Sequence, residues 1–157
     1  LYTASTVFHS TKDETLRNKL NIVDHASIYV LIAGTYTPYV LVTLRGSVGW
    51  IVFGVIWGLA LTGIILKLFY IEKYSLLSTI MYVLMGWVMI FAVKPIINSL
   101  ELGGLIWLLA GGVVYTVGAV FFSLKNLKFN HAIFHVFVLL GSFCHFMSIY
   151  HYVVPKN

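Results

Sequence analysis

The chain has 157 residues, of which 60% are hydrophobic and only 10% charged, with a formal net charge of +5. Long apolar runs with so few charges exclude a soluble core and describe an all-α, polytopic membrane helix bundle, one domain over residues 1–157. The ten lysines and arginines are spread over every loop with no basic stripe, which argues against nucleic acid, and the single cysteine, Cys144, excludes an intrachain disulfide or a cysteine metal cluster.

In chain order, Leu1 to His9 is apolar but too short to span, since nine helical residues cover only ~14 Å. Ser10 to Asn21 reads as a charged loop with Lys12, Asp13, Glu14, Arg17 and Lys19. Five segments then meet the requirement of ~20 residues for a span: Ile22 to Leu44, Val48 to Ile71, Leu76 to Val93, Gly104 to Leu124 and His131 to Val153. Because residue 1 is not methionine and the first helix starts in mid-membrane, the expectation is a chain truncated at its N-terminus, lacking half of that helix. Pro38 is expected to kink its helix and free backbone groups to line a cavity. Gly49, Gly54, Gly58 and Gly63 are expected to allow close helix packing. Trp50, Tyr70, Tyr74, Trp107, Tyr150 and Tyr152 suit interfacial belts.

Loop charge sets an orientation. Seven basic residues, Lys12, Arg17, Lys19, Lys67, Lys73, Lys125 and Lys128, fall on one side, against three, Arg45, Lys94 and Lys156, on the other. The excess of positive charge in cytoplasmic loops places the Ser10 to Asn21 side inside and the C-terminus outside.

On the inner side the candidate site assembles. His9 closes the partial helix, Asp24 opens the next, and His131 and His135 open the last. An i, i+4 histidine pair puts both imidazoles on one helix face, and a third histidine completes the three-nitrogen set of an open zinc site. Zinc brings a bound water to a pKa of about 7. The positions between the two histidines are Ala132, Ile133 and Phe134, so no glutamate is available there and Asp24 is the acid placed to handle a proton. Ser5, one turn before His9, is placed to orient the water or support an oxyanion. Other readings compete: the histidine pair can simply bond between helices, and Asp24 can cap its helix and favour its dipole. His25, His145 and His151 read as interfacial side chains, although Ser142 and His145 continue the stripe of His131 toward the opposite face.

The pattern Ser5-x3-His9, Asp24 and His131-x3-His135, together with the stretch from Asp24 to Pro38, resembles the adiponectin/progestin receptor and hemolysin III superfamily, most closely its bacterial hemolysin III branch. The resemblance covers essentially the whole chain. It implies a seven-helix bundle, of which this chain holds five complete helices and part of another, with a Zn2+ ion near the cytoplasmic face. By that similarity His9, His131 and His135 are the metal ligands, and Asp24 and Ser5 lie beside the bound water. It further implies membrane lipids as partners, residence in the bacterial inner membrane, and one of three functions. These are a zinc-dependent hydrolase of a lipid amide or ester with a ceramide-like or fatty-acyl amide substrate, a pore-forming cytolysin, or a lipid sensor or receptor with structural zinc.

Overall fold

The computed structural model describes residues 1–69, 75–124 and 126–154. Ile71, Lys73, Lys125 and Lys156 from the span and charge assignments, and Tyr70 and Tyr74 from the aromatic belts, lie outside them. Among the described residues seven α-helices run in order: α1 (Tyr2–Ser10), α2 (Glu14–Pro38), α3 (Gly46–Phe69), α4 (Ser75–Gly86), α5 (Val93–Ser99), α6 (Leu102–Ser123) and α7 (Asn130–Ser148). No strand occurs among the described residues. Among the described residues five spans are long and apolar enough to cross a membrane: Glu14–Leu44, Gly46–Phe69, Leu77–Ser99, Leu102–Ser123 and Asn130–Val153. Regular helix is the expected answer to a bilayer, which offers no hydrogen bonds to the backbone.

The charged Ser10 to Asn21 segment is not a loop throughout. Asp13 accepts a hydrogen bond from the Leu16 amide at 2.7 Å and starts α2 there, with Glu14 in its first turn. Aspartate satisfies one of the four free amides of a helix start, and a neighbouring acid favours its dipole. The charges that read as a loop are therefore the water-exposed first turns of a helix that continues into the membrane. Asp24 consequently sits ten residues inside α2, about 15 Å from its start, and cannot be its cap.

Helix α2 ends at Pro38 and passes into a π-helical turn, Tyr39–Leu44. Arg45 alone separates that turn from α3, and both it and Gly46 have positive φ. The third span also departs from the expected Leu76 to Val93. It runs on to Ser99 and is broken, with 3-10 geometry over Val88–Ala92. Pro95 lacks the amide that would tie α5 back to that stretch. The Tyr36 hydroxyl enters the break, donating to the Gly86 carbonyl at 2.7 Å and accepting from the Met89 amide at 3.1 Å. A side chain thus supplies the bonds that the helix loses, as apolar surroundings demand. Tyr36→Phe is expected to lower stability by about 1–3 kcal/mol, the cost of leaving such groups unpaired, measured by thermal unfolding in detergent.

Helices α6 and α7 form the most extensive pairing. Gly104, Gly111 and Gly118, spaced by seven residues, are buried along α6. A Cβ at these positions would collide with Leu100 and Tyr152, with the His145 imidazole and with Phe137, respectively. In α3 the expectation holds for two of the four glycines it named: a Cβ would strike the Val40 carbonyl at Gly49 and the Tyr29 ring at Gly63, whereas Gly54 and Gly58 face open space. Gly49→Ala is expected to lower the unfolding temperature markedly, because rigid backbone blocks the new methyl. Gly54→Ala, replacing a helical glycine with nothing nearby, is expected to leave it unchanged or raise it.

Candidate metal centre

Three elements bring the site together. Helix α7 is fixed at its start by Asn130, whose carboxamide donates to the Phe122 carbonyl at 3.1 Å and accepts from the His131 amide at 2.8 Å. One turn apart on that helix, the His131 and His135 Nε2 atoms face each other at 2.8 Å. Asp24 of α2 meets them, its Oδ2 3.5 Å from His131 Nε2. One ligand atom from each of Asp24, His131 and His135 lies within 4.8 Å of the others, a spacing that can hold a metal ion.

The donors themselves support that use. Asp24 is 1% exposed, and neither carboxylate oxygen has a hydrogen-bond partner. A buried carboxylate whose only close polar contact among the described residues is one imidazole nitrogen at 3.5 Å is costly and calls for a cation nearby. Two imidazole nitrogens at 2.8 Å likewise need a proton or a cation between their lone pairs. Two nitrogens and an oxygen suit metals of the zinc class.

Helix α1 covers this cluster. Ser5 is buried and its Oγ lies 2.9 Å from His135 Nε2, while the Tyr2 ring lies 5.9 Å from that of His135. His9 is exposed and meets His131 edge to face, with centroids 5.0 Å apart. It adjoins the cluster but is outside the tight set, in which Asp24 occupies the third place instead. His25, expected as an interfacial side chain, also stands beside the cluster: its ring is 6.3 Å from His131, with Nδ1 bonded to the Asn21 carbonyl at 2.9 Å. Its position directly after Asp24 was the available signal. His145 is buried, and its Nδ1 has no hydrogen-bond partner.

Below the triad, a cavity of about 320 Å³ opens between α2, α4, α5, α6 and α7. Its near end is lined by Ile28, one turn after Asp24, and by Phe134 and Val138, which flank His135 on the same buried face of α7. Ile90, Ile97 and Leu109 border it too, and at 56%, 55% and 58% exposed they also face outward, so the cavity opens sideways toward the bilayer.

The family model for Haemolysin-III related proteins matches residues 1–146. The chain is 48% identical to "Hemolysin-3" of Bacillus cereus over 99% of its own length and 71% of that protein. It is 46% identical to the "Hemolysin-3 homolog" of Bacillus subtilis, covering 98% and 72%. The human "Monocyte to macrophage differentiation factor" is 33% identical, covering 98% and 66%. No solved structure matches. The chain belongs to the Haemolysin-III related family of membrane proteins.

Proposed function

We propose that the protein is a zinc-dependent hydrolase of a membrane lipid, cleaving a fatty-acyl amide or ester with the polar head at the triad and the acyl chain in the cavity. The observation that carries this reading is the buried Asp24 carboxylate beside two converging imidazoles, with Ile28 one turn after Asp24 and Phe134 next to His135 lining an apolar cavity. Lipid-sized pockets of a few hundred Å³ with polar groups at one end are ordinary small-molecule sites. In this reading His131 and His135 hold the zinc with His9 as third ligand, and the ion, when bound, supplies a water of near-neutral pKa. Asp24 takes and returns the proton, and the Ser5 hydroxyl donates to the developing oxyanion. The decisive assay follows release of fatty acid from a fluorescent acyl amide by the purified, zinc-loaded chain in detergent. Turnover lost on chelation and restored by zinc is expected, and no turnover of any acyl amide or ester would overturn the proposal.

The name of the Bacillus cereus relative favours a second reading, a pore-forming cytolysin. The apolar lining of the cavity speaks for the first, since a pore needs a wet lumen. Dye release from vesicles by the purified protein separates the two.

We further place the metal site on the cytoplasmic side of the bacterial inner membrane. A reporter fused after Lys128 is expected to read as cytoplasmic and one after Asn157 as external, in the full-length protein. The reverse pattern would put the site on the outer face.

A further inference from the structure

The far end of the cavity carries a group that cleavage at the triad does not use. His145 lies ten residues beyond His135 on α7, about 15 Å along the helix axis. Its ring borders the cavity yet is only 7% exposed, and no hydrogen bond reaches Nδ1. An imidazole within a membrane span is costly unless its polar atoms find partners. The fold nevertheless makes room for it, since a Cβ at Gly111 would collide with the ring.

Neighbouring hydroxyls are engaged elsewhere. Tyr39 donates to the His145 backbone carbonyl at 3.4 Å, and Tyr115 bonds Ser142 at 2.8 Å. Thr35, also on the cavity wall, donates to the Leu31 carbonyl at 2.8 Å. The Tyr115 and Tyr39 rings flank the imidazole at 5.1 and 6.5 Å between centroids. His145 is thus held in an aromatic cradle with its Nδ1 buried and unused. A half-turn about its Cβ–Cγ bond exchanges the ring edges with almost no change of shape and presents that nitrogen to the cavity.

We propose that His145 recognises a second polar function on the bound lipid: a hydroxyl or oxo group on the acyl chain, roughly a dozen carbons from the bond cleaved at the triad, the reach of that ~15 Å separation. This rests on the reading that the acyl chain fills the cavity. A neutral imidazole donates from one nitrogen and accepts at the other, so it serves a hydroxyl or an oxo group without introducing charge. The specificity follows because a plain chain leaves the nitrogen unpaired, whereas a hydroxylated chain satisfies it.

The test is equilibrium displacement of a fluorescent fatty acid from the purified full chain in detergent. The competitors are stearate, stearate with a mid-chain hydroxyl, and stearate with the hydroxyl beside the carboxylate. The mid-chain hydroxy acid is expected to bind about tenfold more tightly than the other two, the worth of one hydrogen bond in a dry site. His145→Phe is expected to erase the preference and keep the affinity for stearate. His145→Gln, which still donates and accepts, is expected to retain part of it and serves if the phenylalanine variant does not fold. Equal binding of all three acids by the unaltered protein would overturn the role of His145 while leaving the chain in the cavity. A preference that survives both variants would also overturn it. Binding of none of the acids would remove the acyl-chain reading itself, and this inference with it.

Discussion

Replacing His135 with alanine is expected to strip the protein of its metal. The unaltered chain, purified without chelator, is expected to carry about one zinc, as a three-ligand open site does. His135 Nε2 is the atom on which the cluster converges, 2.8 Å from His131 Nε2 and 2.9 Å from Ser5 Oγ. Deleting it leaves two of the three proposed histidine ligands, His131 and His9, with no second α7 imidazole to close the set, and the ion is expected to be lost through purification. His9→Ala is expected to lose most of the zinc as well, and elemental analysis by mass spectrometry reads both losses. His145→Ala and His151→Ala are the controls and are expected to keep it, His145 being about 15 Å from the pair along α7. Full zinc in His9→Ala, with loss in His131→Ala and His135→Ala, would make Asp24 the third ligand, the arrangement closest to the observed spacing. Zinc retained in His9→Ala and His135→Ala alike would move the metal elsewhere.

The fold was legible wherever one signal dominated. Apolar length alone marked the five spans, because a bilayer leaves helix as the economical choice for an uninterrupted apolar run. Charge misled at Ser10 to Asn21, where Glu14, Arg17 and Lys19 reflect contact with water and say nothing against a helix already capped by Asp13. The break in the third span was hidden for a different reason. Its repair comes from Tyr36, fifty residues from Gly86 in sequence, and no local pattern carries that pairing. At the site, the i, i+4 spacing of His131 and His135 was readable because helix geometry fixes it, and α2 does bring Asp24 to that pair. What spacing cannot give is lateral distance. It did not reveal that Asp24 approaches the pair more closely than His9, that His25 stands beside them, or that His145 is buried against Gly111.

Asp24→Asn is expected to separate chemistry from metal binding. Helix α2 begins at Glu14 behind its Asp13 cap, so the substitution leaves the helix start untouched. Asparagine has nearly the shape of aspartate, and at a position 1% exposed this limits repacking. What it removes is a charge and a proton acceptor. If Asp24 handles the proton of the attacking water, acyl amide turnover is expected to fall by about 10²–10⁴-fold, the usual worth of a positioned acid–base group. Zinc content is expected to stay near one per chain, since His9, His131 and His135 remain. Loss of zinc together with activity would identify Asp24 as a ligand or as a group that orients one, consistent with its Oδ2 lying 3.5 Å from His131 Nε2. Activity at the unaltered level with zinc intact would remove Asp24 from the mechanism and leave the hydrolase without a base. Vesicle leakage unaffected by Asp24→Asn, in a protein that turns over no acyl amide, would instead favour the cytolysin, because a pore has no use for a proton acceptor sealed 1% exposed beside two imidazoles.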